Sequence, residues 1–296
     1  MLQEVEAKTI LNKTKKRDPW FLDDYTVNPY LACSFNCLYC YIRGSKYGEH
    51  MDKNLKVKSN AVELLRKQLY NRAKKGEYGI IVLSSATDPY VQVEKETELT
   101  RKLLEIILEF KFPVHIITKS SLVTRDLDLL QEINKTAILP NDLKGKLSGG
   151  AIVSFSFSTL RDEVSKIFES GATPPSKRLK TLQTVKLSGL TTGVSLMPLL
   201  PFISDTTQEL ENAFSTFSKL EVDYVLPATL TLFGNGKYDS KTLMLKAIEK
   251  HYPHLLLKYQ KFFYPSAEMP KYYRDAFYKK MQELKHTYNI KSHIAE

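Results

Sequence analysis

The sequence has few cysteines, no long apolar run and no low-complexity tract. Its 296 residues include only three cysteines, all between positions 33 and 40, which is too few for a disulfide framework. No apolar run approaches the roughly 18 residues that a membrane-spanning helix needs, and residues 1–20 are polar without a signal-peptide core. We therefore expect a cytoplasmic protein with no membrane partner, in which the cysteines serve as ligands.

The composition is that of a folded globular protein with an excess of positive charge. Hydrophobic residues make up 43% and charged residues 26% of the chain, which gives no sign of disorder. The 43 basic residues against 33 acidic ones give a formal charge of +10. This excess favours an anionic partner such as nucleic acid, although a solvated basic surface would give the same composition.

Apolar runs that indicate buried strands alternate with amphipathic helical segments. The predicted strands are residues 25–31, 80–83, 114–118, 152–157, 194–199 and 224–232. Leu65 and Leu69 belong to one helical stripe, and Leu103 and Ile106 to another, each suited to cover a sheet. The repetition predicts a parallel sheet, and right-handed connections leave two architectures open: an incomplete barrel or an open doubly wound sheet.

The chain changes character after the glycine-containing residues 234–236, where it becomes helical and aromatic. We predict that residues 1–236 form an N-terminal arm and the α/β core, and that residues 237–296 form a helical extension packed on it. Some of its aromatic side chains could either stack on unpaired bases or pack a helix against the barrel; they are Tyr272, Tyr273 and Tyr278. The helical spacing of Tyr273 and Phe277 favours packing.

The three cysteines follow the first predicted strand with the spacing C-x-x-x-C-x-x-C, at Cys33, Cys37 and Cys40. A closed four-iron cluster takes four cysteine ligands, so a cluster held by three would leave one iron open to a cofactor or substrate atom. The alternative is a structural zinc site of the Cys₃His type, with His50 as the fourth ligand. The spacing fits zinc modules poorly, because it lacks a second ligand pair.

With Tyr39 before the last cysteine, this spacing resembles the C-x-x-x-C-x-aromatic-C signature of the radical SAM superfamily. Further segments resemble its spore photoproduct lyase-like (DNA repair photolyase-like) branch, over roughly residues 18 to 265. These segments are Thr87-Asp88-Pro89-Tyr90 with Glu94, Thr118-Lys119-Ser120, residues 122–130, 156–160 and 169–172, Arg178-Leu179, Met197-Pro198, Asp205 and residues 232–234. The resemblance implies an α/β fold of the partial TIM barrel type, (β/α)6, with a C-terminal helical extension and a site at the carboxyl ends of the strands.

The resemblance also implies the cofactors, which are a [4Fe-4S] cluster and S-adenosyl-L-methionine (SAM). In that family the cluster, held here by Cys33, Cys37 and Cys40, cleaves SAM to a 5′-deoxyadenosyl radical, with electrons from a donor such as flavodoxin or ferredoxin. The implied SAM-binding residues are Tyr39 beside the cluster, Ser84, Ser85 and Asp88 near the methionine amino group, Lys119 near its carboxylate, and Ser154 and Ser156 near the ribose. A serine or aspartate after a strand is also an ordinary turn or capping residue.

One departure from spore photoproduct lyase limits what the resemblance implies. That lyase returns a hydrogen atom from a cysteine near the end of the second strand, assisted by tyrosines that flank the third cluster cysteine. Tyr39 and Tyr41 match the tyrosines and are the candidate catalytic residues, but Ser85 stands at the donor position and the chain has no fourth cysteine. A serine hydroxyl is a poorer hydrogen-atom donor than a thiol.

The resemblance and the charge together predict a radical SAM enzyme that repairs or modifies a base in nucleic acid, either DNA or RNA. A second hypothesis keeps the radical chemistry and gives it a peptide or a small metabolite. A third is a non-catalytic nucleic-acid-binding protein whose iron–sulfur or zinc site is structural.

Overall fold

The computed structural model describes residues 3–45, 55–83 and 86–295. Its strands are β1 Gln3–Val5, β2 Leu11–Lys13, β3 Tyr25–Val27, β4 Tyr30–Leu31, β5 Lys56–Lys58, β6 Ile81–Leu83, β7 Val114–Thr118, β8 Ala151–Phe157, β9 Thr191–Leu199 and β10 Val225–Thr229. Its α-helices are α1 Ala61–Lys74, α2 Glu94–Thr97, α3 Leu99–Glu109, α4 Leu127–Thr136, α5 Asp162–Phe168, α6 Pro175–Leu187, α7 Thr207–Lys219, α8 Ser240–His251, α9 Leu256–Phe263 and α10 Lys271–Tyr288. Short 3-10 helices cover Ser121–Asp126 and Pro253–Leu255. Within these described ranges, no helix combines the length and apolarity needed to cross a bilayer.

A seven-stranded sheet in the order β2-β3-β6-β7-β8-β9-β10 forms the centre of the fold. The strands from β3 to β10 pair in parallel, and β2 joins the edge of β3 antiparallel. The six parallel strands follow one another in chain order, as in a barrel, whereas a doubly wound sheet reverses its order at a switch point. The sheet therefore confirms the (β/α)6 partial-barrel prediction and decides against the doubly wound alternative.

The first predicted strand, residues 25–31, is divided between two sheets. β3 belongs to the central sheet, while β4 joins a small sheet with β5 and β1. Pro29 lies between the two strands, and it lacks the N–H that a continuous ladder needs. In the last parallel strand, Pro227 is tolerated because β10 is an edge strand of the central sheet.

The helices between successive parallel strands cover the outer face of the sheet. Leu65 and Leu69 of α1 and Leu103 and Ile106 of α3 are buried in one core with the outward-facing side chains of β8. These are the stripes that the sequence predicted as sheet-covering faces. Their burial confirms the helical period in both segments.

A buried polar layer lies inside the barrel. The hydroxyl of Ser154 on β8 lies 2.6 Å from that of Tyr224 and 2.7 Å from His115 Nε2. His115 Nδ1 lies 2.8 Å from the backbone carbonyl oxygen of Phe21. A carbonyl oxygen only accepts, so Nδ1 carries the proton and Nε2 accepts from Ser154. Burial lowers the pKa of His115 to about 4, which keeps the ring neutral near pH 7.

The C-terminal helices share a core with earlier parts of the chain. Phe263 of α9 lies in one buried cluster with Phe168 and with Tyr39 of the cysteine segment. On α10, Phe277 is buried, and the Tyr273 hydroxyl donates to Asp205 Oδ2 at 2.8 Å. These two side chains therefore pack a helix, as their spacing favoured. The boundary between residues 1–236 and 237–296 stays a prediction.

Gly193 on β9 lies against Tyr224 of the buried polar layer, so adding a methyl group at this position should be destabilising. A Cβ there would overlap the buried ring of Tyr224. We expect Gly193→Ala to lower the free energy of unfolding by about 1–3 kcal/mol, measured by urea denaturation. In a Tyr224→Leu background the same substitution should cost less, because the ring is gone. An equal cost in both backgrounds would contradict the proposed overlap.

Candidate functional site

A cavity of about 600 Å³ opens at the carboxyl-terminal half of the parallel strands. All six strands contribute lining residues, which are Thr26, Val82, Ile117, Thr118, Ser156, Ser195, Met197, Pro198, Ala228 and Thr229. Ligand and cofactor pockets span about 300–1,000 Å³, so this cavity is large enough for one. Its position agrees with the expectation that the site lies at the carboxyl ends of barrel strands.

Cys33, Cys37 and Cys40 line this cavity as free thiols. Ala32 and Asn36, the residues before the first two cysteines, have positive φ angles of 62° and 52°, which turn the chain sharply at each of them. Burial raises the pKa of Cys33 to about 11 and also raises that of Cys37. A bound cation would compensate for this burial, because ligation stabilises the thiolate.

A four-iron cluster and a single zinc ion differ in the ligands that they need. Zinc draws its four ligands to within about 2.0–2.3 Å of one centre. In residues 3–45, 55–83 and 86–295, no group of three His, Cys, Asp or Glu side chains is placed to hold a metal ion. Three thiols around one cavity, with no fourth cysteine in the chain, have the donor number of a cluster with one open iron. His50, the alternative zinc ligand, lies outside the described residues.

The cysteine segment is anchored on the end of α5 and on the chain that follows it. Leu38 N donates to the carbonyl of Phe168 at 2.9 Å, and Gly171 N donates to the carbonyl of Phe35 at 3.0 Å. A Cβ at Gly171 would overlap the carbonyl oxygen of Ser34. Glycine at this position therefore allows the two backbones to approach closely.

Glu169 is a buried carboxylate between these two segments. The Tyr39 hydroxyl donates to its Oε1, and the Arg178 guanidinium donates to its Oε2. Two hydroxyls complete its hydrogen bonds, from Ser158 at 2.8 Å and Ser165 at 3.1 Å. Burial acts to raise the pKa of Glu169, but Arg178 and Lys119 outweigh it, so the pKa falls to about 2. The group is ionised at neutral pH.

Lys119, directly after β7, brings positive charge to the cavity. Its Nζ donates to Ser156 Oγ and lies 3.8 Å from Glu169 Oε1 and 6.0 Å from the centre of the Tyr39 ring. Among the described residues that line the cavity, it is the one Lys or Arg. An anionic group of a ligand in the cavity would therefore pair with this ammonium group.

Asp88 lines the cavity, but its oxygens are bonded to the protein. Its Oδ1 accepts from Thr118 Oγ1 and Tyr90 N, each at 2.8 Å, and its Oδ2 accepts from Lys119 N at 2.7 Å. Burial raises its pKa to about 6. In this structure the carboxylate ties the segment after β6 to the end of β7.

The remaining predicted residues are placed differently from one another. Tyr41 and Ser156 line the cavity, and Tyr41 is half exposed at its rim. Ser154 does not line it, because its hydroxyl is engaged in the buried layer with His115 and Tyr224. That position does not support the predicted ribose contact. Ser84 and Ser85 lie outside the described residues.

Sequence reasoning missed the cavity residues of the N-terminal segment, Asp18, Phe21 and Asp23. The segment is fixed by Arg17, whose Nε and Nη2 donate to the two carboxylate oxygens of Asp24 at 2.9 Å each. No periodicity marks these residues in the sequence. Glu169 was part of a recognised segment, but nothing in the sequence showed that its carboxylate is buried.

The buried Glu169–Arg178 pair predicts a large stability effect. Glu169→Gln removes the charge that compensates the fully buried guanidinium, so we expect a loss of about 3–5 kcal/mol in the free energy of unfolding. The matched control is Glu163→Gln on α5, whose side chain is 72% exposed, with an expected change within about 0.5 kcal/mol. Urea denaturation measures both, and equal effects would show that Glu169 has no special role.

Comparisons with known proteins identify the family of the chain. The profile of the radical SAM superfamily matches residues 27–214. The chain is 25% identical over 293 residues to an uncharacterised protein of Mycobacterium tuberculosis, covering 97% of this chain and 81% of that protein. It is 22% identical over 241 residues to a radical SAM Nalpha-GlyT isomerase of Pseudomonas phage M6, covering 79% of this chain and 44% of that protein.

Solved structures of spore photoproduct lyase share the fold. The complex with dinucleoside spore photoproduct matches with a TM-score of 0.65 at 16% identity, covering 97% of this chain and 79% of that one. A mutant with bound AdoMet matches with a TM-score of 0.57 at 17% identity, covering 84% of this chain and 65% of that one. With the profile match over more than half of its length and the three thiols at the carboxyl ends of the barrel strands, the chain belongs to the radical SAM superfamily.

Proposed function

We propose that this chain binds a [4Fe-4S] cluster through Cys33, Cys37 and Cys40 and uses it with SAM to start radical chemistry on a base in nucleic acid. The observation that carries the proposal is that the three thiols and Lys119 line one cavity of about 600 Å³. When bound, the cluster supplies the electron that cleaves SAM to a 5′-deoxyadenosyl radical. Reduced flavodoxin or ferredoxin is the proposed donor of that electron.

Lys119 binds the carboxylate of SAM in this proposal. Its ammonium group is held in place by Ser156 and by the ionised Glu169 at 3.8 Å. Glu169 also accepts the hydrogen bond of the Tyr39 hydroxyl, so Glu169 is a positioning residue that fixes Tyr39 beside the thiols. Electrostatic pairing in this buried setting is stronger than in water, which orients the cofactor in the cavity.

Tyr41 is the proposed hydrogen donor in place of the missing thiol. It lines the cavity and is half exposed, whereas Tyr39 is buried with its hydroxyl bonded to Glu169. A phenol can give its hydrogen atom to a substrate radical and become a tyrosyl radical. One electron from the electron donor and one proton from water then restore the phenol.

Two features support nucleic acid as the substrate. The formal charge of +10 suits a polyanion. One spore photoproduct lyase of the same fold is solved with a dinucleoside spore photoproduct. Repair of spore photoproduct itself is not expected, because the chain has no fourth cysteine to act as hydrogen donor.

The carboxylates of Asp18 and Asp23 favour a second candidate function. They line the cavity with negative charge, the same sign as that of the phosphate of nucleic acid. A peptide or a small metabolite with a cationic group would suit them better than a phosphate would. In this second function the radical chemistry is unchanged and only the substrate differs.

The first test concerns the cluster. We expect the anaerobically reconstituted protein to show iron–sulfur absorbance and to release 5′-deoxyadenosine from SAM under reduction. Cys37→Ala should abolish both, because the remaining two thiols are too few for the cluster. A cysteine outside the site would be the natural control, but all three cysteines of the chain belong to it. Tyr41→Phe therefore serves as the control variant and should retain the iron–sulfur absorbance. Cleavage that survives in Cys37→Ala would overturn the proposed site.

The second test concerns the substrate. Binding of labelled single-stranded DNA and RNA should weaken as salt is raised, with a slope on log–log axes of about −0.7 for each phosphate contacted. Fluorescence anisotropy at graded salt measures it. Failure to bind either polymer at low salt would reject nucleic acid and leave the peptide or metabolite function.

A further inference from the structure

A second concave surface lies away from the cavity, between the turn after β10, α8 and the end of α9. We call it the basic cleft. Its volume is about 860 Å³, and its lining residues are Asn235, Lys241, Leu245, Gln260, Lys261, Phe263 and Tyr264. None of these residues lines the cavity that holds the cysteines. The basic cleft is therefore a separate candidate binding site.

The cations of the basic cleft are not neutralised by the protein. In the described part of the chain, Lys241 and Lys261 make no ion pair. Acidic partners are scarce there, because residues 237–264 contain six lysines and only two acidic residues. The neighbouring helix α10 differs, since Lys271, Arg274 and Lys280 each pair with an acidic side chain. Unpaired ammonium groups in a concave surface attract an anion.

The basic cleft also presents an aromatic face. Tyr264 is 89% exposed, the most exposed of the large apolar side chains described, and it follows Lys261 by one helical turn. An aromatic ring beside a cation is the arrangement that holds single-stranded nucleic acid, with a base on the ring and a phosphate on the cation. The amides of Asn235 and Gln260 add hydrogen-bonding groups to the same wall.

The basic cleft is linked to the cysteine segment. Arg43 Nη1 donates to the carbonyl of Tyr238 at 3.3 Å, and Ser240 Oγ donates to the carbonyl of Arg43 at 3.3 Å. Arg43 lies three residues after Cys40, and residues 238 and 240 lie between two residues of the cleft, Asn235 and Lys241. The turn between Asn235 and Lys241 is thus hydrogen-bonded to the segment that carries the thiols.

The cavity and the basic cleft differ in charge, so they suit different parts of a nucleic acid. The cavity carries Asp18 and Asp23 and, among its described lining residues, one cation, so a phosphate chain is repelled there. The basic cleft carries uncompensated lysines. We propose that the basic cleft binds the backbone of a single-stranded stretch next to the target, stacking one base on Tyr264 while a neighbouring base enters the cavity. This inference rests on the proposed nucleic-acid substrate.

The test uses the full-length reconstituted protein and a fluorescein-labelled single-stranded DNA of about 12 nucleotides. The variants are Lys241→Ala with Lys261→Ala, and Lys261→Ala with Tyr264→Ala. The matched control is Lys67→Ala with Tyr70→Ala on α1, which removes an exposed lysine and a largely exposed tyrosine at the same spacing. Thermal melting checks that all of them fold.

We expect the lysine pair to reduce the log–log salt slope by about 1.4, because two phosphate contacts are lost. Lys261→Ala with Tyr264→Ala should weaken binding about tenfold or more, through the lost stacking. The control should bind as the wild type does. Cleavage of SAM without substrate should be unchanged in every variant, since none of these residues lines the cavity.

The outcomes separate this inference from the proposed function. If the wild type binds the DNA and the cleft variants bind it as tightly, with the same salt slope, the basic cleft is not the binding site and the nucleic-acid function still stands. If the wild type does not bind the DNA at low salt, the proposed substrate itself fails. If the α1 control weakens binding as much as the cleft variants, the effect is general charge and the inference is rejected.

Discussion

The ionised Glu169 connects the parts of the site that the chain brings from distant positions. Its carboxylate accepts from Tyr39 of the cysteine segment and from Arg178 of α6, and it lies 3.8 Å from the ammonium group of Lys119. Burial disfavours this charge, and two cations and three hydroxyl donors more than offset the penalty, so the pKa falls to about 2. The close approach at Gly171 holds the backbone of the same two segments together. Glu169 thereby contributes to the placement of both Tyr39 and Lys119 at the cavity that the thiols line.

The barrel holds the segments that meet at Glu169. Its interior has two layers, a deeper buried polar layer and the cavity above it. Outward-facing residues of the strands pack under the helices, while inward-facing residues alternate with them. On β8, Ser154 closes the deeper layer with His115 and Tyr224, and Ser156, two residues further along, reaches the cavity. Both serines face inward, yet their depth gives them different partners. The deeper layer fills the barrel below the ligand space.

Charge is distributed unevenly over the molecule, and this distribution links the cavity to the basic cleft. The excess of positive charge, +10 over the chain, does not lie at the cavity. The carboxylates of Asp18 and Asp23 line the cavity, and the one cation among its described lining residues, Lys119, is paired with Glu169. Much of the α10 charge is paired internally, whereas Lys241 and Lys261 are not. A net charge read from composition therefore says that an anion is favoured but not where it binds.

The sequence by itself determined the spacing of the three thiols and the succession of strands and helices. Thiol spacing is a local property, and hydrophobic periodicity reports which face of each element is buried. Tertiary structure alone decided that the sheet keeps chain order, that Pro29 divides the first predicted strand between two sheets, and that Ser154 lies below the cavity. It also brought Asp18 and Glu169 to the site from opposite sides of the cysteines in the chain. These features depend on contacts between segments that are distant in the sequence. A charged side chain becomes buried and paired only when such segments pack together, so no local pattern predicts it.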